Sequence, residues 1–357
     1  MEAELASSKW RIPLLILSSI LLILGTCTGP LFTRLYFLHG GKSYWLSAGL
    51  ETTACPLILL PLTISYINRR RKGGDSGSFF LIKPYLYKCS AIAGLLFGLV
   101  NFFYASGSSA LPVSTSALIY SSQLSFTAVF AYFLVSQRFN IYSTNTIVSL
   151  TLGAVILGFQ SSSDAPEGES MSHYVMGFVL MLLAALLNAF VLPFMELAYK
   201  KAKQEINYSL VMEFNMMMGV FATSFCALGW FISTDFKDIV QEAKESDLGE
   251  TNYYLVLALI AISWQGTLLG INGVIFCSSS LLSGILLTCT VPLTEVLGVI
   301  FFHEKFNASK GISLVLSIWG FLSYFYGEFK YTNNQENKSS SQLESHLITP
   351  HDDDIVC

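Results

Sequence analysis

Charge is what this sequence has least of. Only 12% of its 357 residues are Asp, Glu, Lys or Arg, about half the share of a soluble domain. The seven cysteines make no CxxC pair and mostly fall inside apolar runs. No structural disulfide is therefore expected. The five histidines lie at loops, ends or the tail, and none makes an HExxH pair, so no metal site is expected. No basic patch with interleaved aromatics is present, so nucleic acid is not an expected partner. HGGK at 39–42 lacks the GxxxxGK[ST] spacing of a phosphate loop. With no nucleophile–base pair or metal cluster, neither an enzyme nor a cofactor is expected.

What fills the chain instead is apolar: 53% of the residues are hydrophobic. A membrane helix needs about 20 mostly apolar residues. Ten candidates occur, at 12–35, 44–67, 86–107, 113–136, 142–160, 174–199, 208–233, 253–277, 281–302 and 308–328. The fold class is thus an all-α polytopic membrane protein with ten transmembrane helices. The first run is too long for a signal-peptide core and reads as a retained span. Residues 236–248 are amphipathic and read as a short interfacial helix. The tail, 329–357, is rich in Asn, Ser, Gln and Asp and reads as disordered.

Orientation follows from lysine and arginine. With the N-terminus inside, 14 of the 20 fall on inside segments. Both termini are then cytosolic. The sequons at Asn207, Asn307 and Asn337 are on the cytosolic side or in a very short loop, so no glycosylation is expected. Arg69, Arg70 and Arg71 follow from topology, with membrane-lipid head groups as a second contact.

Residues 135–140 read VSQRFN and residues 302–307 read FHEKFN, an offset of 167. At that offset Phe139 meets Phe306, Asn140 meets Asn307 and Gly153 meets Gly320. Both frames also have a Ser/Thr-rich span entry upstream. Five spans per unit, an odd number, force opposite orientations, so the expected architecture is a five-plus-five inverted repeat. Its parts are a cytosolic N-terminus (1–11), a first repeat (12–160), an extracellular loop (161–173), a second repeat (174–328) and the tail. Such repeats are common in secondary transporters, with substrate near the midplane.

Five stretches carry a resemblance: LFTRLYFLHGGKSYWLS (31–47), LPVSTSALIYSSQLSFTAVFAYFLV (111–135), YKKAKQEINYSLVMEFNMMM (199–218), ISWQGTLLGINGVIFCSSSLLSG (262–284) and IWGFLSYFYGEFK (318–330). Together they resemble the plant purine permease family, within the drug/metabolite transporter superfamily. The resemblance implies a proton-coupled importer of adenine, related purines and cytokinin bases at the plasma membrane. Its partners would be a small purine or related heterocycle and protons, with no partner protein. Two alternatives stand beside it: a superfamily transporter of a different small metabolite, and a membrane receptor or scaffold.

Proton coupling needs a titratable group inside the membrane. Glu51, Glu196, Glu213 and Glu295 fall inside the spans, with no Lys, Arg or His deep in a span to pair with them. Burial without a cation favours a protonated carboxyl. Glu295 stands three residues after Pro292, which is expected to free a backbone carbonyl or break the helix. Glu196 shares a face with Asn188 near the cytosolic end. Glu213 lies near a helix start, where the dipole alone accommodates a carboxylate. The proton-coupling candidates are Glu295, Glu196 and Glu213, with Glu51 weaker. A purine needs flat apolar walls and amides for its edge. The substrate-binding candidates are Asn101, Tyr104, Gln123, Asn188, Trp264, Gln265 and Thr288. Each has a plainer role available, as interhelical glue or as an interfacial aromatic. Spans three, four, six, eight and nine are the expected cavity walls.

Overall fold

The computed structural model describes residues 2–71, 80–111, 116, 119–120, 122–137, 140–161, 171–233, 239–302, 308–309, 311–316, 318–320, 322–324, 326–327 and 330. At some helical positions, Thr288 and Glu295 among them, the side chain is outside the description. Most of the predicted loop 161–173 and nearly all of the tail 329–357 also lie outside the described residues.

Among the described residues every regular element is helical. The order is α1 (Glu2–Leu38), α2 (Tyr44–Thr53), a 3-10 turn (Cys55–Ile58), α3 (Leu59–Arg71), α4 (Pro84–Ala110), α5 (Gln123–Val135), α6 (Ile141–Ser161), α7 (Met171–Lys200), α8 (Tyr208–Ser233), α9 (Ile239–Glu245), α10 (Glu250–Cys277) and α11 (Ser280–Phe302). A shorter apolar helix, α12, follows at Gly311–Tyr324. Lipid offers a backbone nothing to bond to, so a spanning chain bonds within itself. Six described segments are long and apolar enough to cross a membrane: Arg11–Leu38, Tyr44–Ile67, Pro84–Ala110, Val175–Lys200, Tyr208–Ser233 and Glu250–Cys277. Large apolar side chains also face outward, with Ile232 79% and Phe133 73% exposed. That surface suits hydrocarbon and not water.

The second predicted span is not one helix. It breaks between α2 and α3 because Pro56, at the start of the 3-10 turn, has no N–H to give and crowds the preceding turn. The break expected at Pro292 does not occur: α11 runs unbroken from Ser280 to Phe302. The amphipathic segment forms α9. Glu242, buried within it, accepts from Tyr36 Oη (3.2 Å) and Tyr253 Oη (3.0 Å), which ties α9 across α1 and α10. Asn140, half of the repeated punctuation, caps α6, its Oδ1 accepting from Ser143 N at 2.6 Å. Asn207 does the same for α8, accepting from Leu210 N at 2.9 Å.

Glycine sets the closest packing. α1 and α10 share the most extensive contact in the molecule. Gly25 and Gly29 lie on one face of α1, and Gly266, Gly270 and Gly273 punctuate α10. At Gly270 an added Cβ would strike the backbone of Leu22, and at Gly25 the backbone of Ser263 and Thr267. Small residues let the two backbones approach where no hydrophobic force drives association in lipid. On the other side Gly94 and Gly98 seat α4 on α8, and Gly107 seats it on α7. α1 is anchored at the opposite end by Arg11, whose Nε donates to Cys277 O at 3.1 Å.

Gly270→Val is expected to cost about 1–3 kcal/mol by overpacking. Thermal unfolding in detergent checks it, with labelling of buried Cys27, Cys89 and Cys277 as the readout. The variant should expose them at lower temperature than wild type.

Candidate functional site

A cavity opens between α1, α4, α5, α7, α10 and α11 and the residues just before α5. The five spans expected to form its walls all contribute, and α1 joins them. α1 supplies one stripe, Thr26, Pro30, Thr33, Arg34 and Phe37, at the spacing of a single helix face. α10 supplies Trp264, Thr267, Leu268 and Ile271, again a single face. Phe97, Tyr104 and Ser108 come from α4, Asn188 from α7, and Leu287, Thr290 and Thr294 from α11. Ser116, Tyr120 and Gln123 complete the wall.

Three rings form a connected edge-to-face series. Tyr104 meets Trp264 with centroids 5.6 Å apart at 78°, and Tyr120 at 5.2 Å and 69°. Such pairs fix ring orientation. Gly29 matters here too, since an added Cβ would lie 2.9 Å from the Trp264 ring. The indole Nε1 donates to Thr33 Oγ1 at 3.4 Å. The amides add polarity to these walls. Asn188 Nδ2 donates to Tyr120 Oη at 2.7 Å. Its Oδ1, and the Nε2 of Gln123, are buried with no hydrogen-bond partner among the described residues. A buried polar atom without a partner is expensive. Among the described residues the cavity wall therefore holds an unmet amide acceptor, an unmet amide donor and the unpartnered hydroxyl of Ser116.

The predicted site residues divide. Tyr104, Gln123, Asn188 and Trp264 come together on this cavity. Asn101, one turn from Tyr104, is buried outside the lining and bonds α2 through Ala48 O at 3.3 Å. Gln265, beside Trp264, is also buried off the lining, and neither of its amide atoms has a partner. Thr288 and Glu295 sit on α11, and their side chains lie outside the description. Glu295 directly follows Thr294, which lines the cavity.

Two carboxylates are occupied at the bundle's edge. Glu196 Oε1 pairs with Lys200 Nζ at 2.8 Å, and its Oε2 accepts from Ser280 N at 2.8 Å and Ser280 Oγ at 2.5 Å. The cation absent from the spans is thus supplied from one turn beyond, and the pair latches α7 to the start of α11. Glu213, fully buried on α8, accepts from Leu81 N (2.7 Å) and Ile82 N (2.9 Å), holding the entry to α4.

A first span bounded at residue 35 leaves Arg34 at its outer end. The helix continues to Leu38, so Arg34 stands on the cavity face. Tyr120 and Thr33 were also missed. A recurrence at 26, 30, 33, 34 and 37 of polar and aromatic residues along α1 was the available signal.

Spanning helices around a cavity with ring and amide walls make this a multi-pass membrane protein with room for a small planar molecule. A family model described as purine nucleobase transmembrane transport matches residues 13–334. Purine permease 3 of Arabidopsis thaliana is 48% identical over 343 residues, covering 94% of this chain and 98% of that protein. Purine permease 2 of the same plant is 44% identical over 347 residues, with 94% and 96% covered. The chain belongs to the purine permease family, whose members are transporters and not enzymes. A solved crystal structure aligns with a TM-score of 0.58 at 17% identity, covering 86% of this chain and 95% of that one; the likeness is of fold.

Glu213→Ala should strand the amides of Leu81 and Ile82, at a cost of about 1–3 kcal/mol. Hydrogen exchange measured by mass spectrometry should show faster exchange there while α10 keeps its protection.

Proposed function

We propose that this protein is a proton-coupled secondary transporter that imports purine nucleobases and related heterocycles, adenine and cytokinin bases among them, by alternating access. One observation carries the reading: a purine permease has an unmet acceptor, Asn188 Oδ1, and an unmet donor, Gln123 Nε2, on a cavity walled by Trp264, Tyr104 and Tyr120. Adenine's amino group and adjacent ring nitrogen are the complementary donor and acceptor. Its flat face suits the rings, and base–aromatic stacking contributes about 1–3 kcal/mol. Asn101, Gln265 and Thr288 complete the proposed site, reached by small movements of α4, α10 and α11.

The proposed architecture is the five-plus-five inverted repeat, 12–160 and 174–328 around the loop 161–173. The packing supports it. α1 pairs with α10 as α7 pairs with α4, which is the exchange that swapping the halves requires. Gly153 packs on Ser313, and Gly320 packs on Leu150 and Thr146 O. At the offset of 167, Gly153 corresponds to Gly320 and Thr146 to Ser313, so each half presents its glycine to the other's hydroxyl residue. The two halves rock about the cavity. Glu295, next to Thr294, is the first proposed proton carrier; Glu196 and Glu213 follow it and would have to leave the bonds they make. Both termini, residues 1–11 and the tail, face the cytosol, and the plasma membrane supplies an acidic exterior. A second reading, carriage of a different small metabolite, draws on Arg34, a cation on the cavity face that favours an anionic or acceptor-rich substrate.

Radiolabelled adenine uptake in yeast lacking its own purine carriers tests this. Wild-type uptake should collapse with a protonophore. Asn188→Leu and Gln123→Leu should each weaken adenine about tenfold, the equivalent of about 1.4 kcal/mol. Glu295→Gln should be slow and insensitive to external pH. No adenine uptake by wild type, with uptake of an anionic heterocycle that Arg34→Gln abolishes, would favour the second reading.

A further inference from the structure

Glu51 was the weakest of the carboxylates on sequence, and its surroundings reverse that order. It lies near the end of α2, one turn before the break at Pro56, and is 3% exposed. Among the described residues, unlike Glu196 it has no cation, and unlike Glu213 it takes no backbone amide. Its Oε1 has no hydrogen-bond partner. Its Oε2 faces the side chain of Asn101 on α4.

That amide fits the carboxyl in two ways. With Nδ2 turned toward it, Asn101 donates to Glu51 Oε2 at 3.1 Å and to Phe97 O at 3.0 Å. Turned over, Nδ2 donates to Ala48 O at 3.3 Å, and Oδ1 faces the carboxyl. The first arrangement serves an ionised carboxylate, which only accepts. The second serves a protonated one, whose O–H donates to Asn101 Oδ1. It leaves that oxygen beside the Phe97 carbonyl, a repulsion the new O–H bond offsets. A half-turn of one amide thus exchanges a bond to Glu51 for a bond to the α2 backbone at Ala48.

The neighbours leave the carboxyl unneutralised. From α4 it meets Asn101 and, within electrostatic reach, Tyr104; from the wall before α5, Tyr120; from α8, Cys226. Thr223 of α8 bonds the adjacent Thr52, Oγ1 to Oγ1 at 2.8 Å. α10 packs on α2 on either side of this level, where Leu50 joins the cluster of Ile260 and Ile58 that of Leu269. An ionised carboxylate without a cation is costly in such a place, and one amide donor does not repay it. Asn101 and Tyr104 share a face of α4, and Tyr104 lines the cavity. A broken helix beside the carboxyl allows it to move without tearing a continuous ladder.

We propose that Glu51 is a proton-binding residue of the transport cycle, with the Asn101 amide its partner in both protonation states. This rests on the proton-coupled reading above. The proton enters and leaves Oε2 without any other covalent bond changing. Its arrival turns the amide, re-ties α4 to α2 at Ala48, and reaches the substrate cavity through Tyr104.

Wild-type protein and Glu51→Gln, reconstituted in liposomes, test this in two assays. One is accumulation of radiolabelled adenine driven by an imposed pH gradient, acidic outside. The other is adenine–adenine exchange without a gradient. Glutamine has the same shape and cannot cycle a proton. The variant should keep exchange, lose its pH dependence, and show an accumulation ratio of unity where wild type concentrates. Concentration by the variant with the wild-type pH profile overturns the inference. So does loss of both activities in a folded variant, which would make Glu51 structural. If wild type exchanges but never responds to the gradient, the proton-coupled reading itself fails, and this inference fails with it. Should Glu51→Gln not fold, Asn101→Leu decides. Withdrawing the carboxyl's partner should shift the pH midpoint of whatever uptake the variant retains, and an unchanged midpoint overturns the pairing.

Discussion

Lipid cannot hydrogen-bond a carbonyl, an amide or a carboxylate, and the rest of the molecule is arranged around that constraint. Chain polarity has to be settled within the bundle. Most of it is settled by the helices. Serine and threonine return their hydroxyls to the preceding turn, as Thr26 does to Leu22 O at 2.7 Å and Thr151 to Ile147 O at 2.6 Å. Carboxylates at the edges are settled by amides and a lysine, as at Glu213 and Glu196. What is left unsettled is then informative. Among the described residues the amides of Gln123, Gln137, Asn188, Asn215 and Gln265 and the carboxyl of Glu51 retain unmet atoms, and Gln123 and Asn188 line the cavity.

The same constraint explains the glycines. Burial of apolar area does not hold helices together in hydrocarbon, so close backbone contact has to. Gly25 and Gly29 against α10, and Gly94 and Gly98 against α8, bring four helices together in two close pairs, and two of those helices carry Trp264 and Tyr104. Gly29 has a double use, since the space a Cβ would take is filled by the Trp264 ring. Stability and cavity shape are therefore coupled through a few positions that carry no side chain.

Part of the cavity was legible in advance. Tyr104, Gln123, Asn188 and Trp264 could be picked out because an amide or an aromatic beside an amide is conspicuous in an apolar run. Arg34 could not, because its role turned on three residues of helix length. Glu196 read as a possible proton carrier because a lysine one turn past the span was counted as loop. Pro56 and Pro292 look alike in sequence, each inside an apolar run, yet one breaks its helix and the other does not.

By itself the sequence determined the all-helical membrane class, because a charge share this low and runs of this length leave a helix as the economical way to satisfy the backbone in lipid. It also determined the family, through residues spread along nearly the whole chain. The tertiary structure alone decided which polar groups find partners. That depends on which helix faces meet, and no local pattern records it: Glu213 meets the chain entering α4, Glu196 meets Ser280, and Glu51 meets the amide of Asn101.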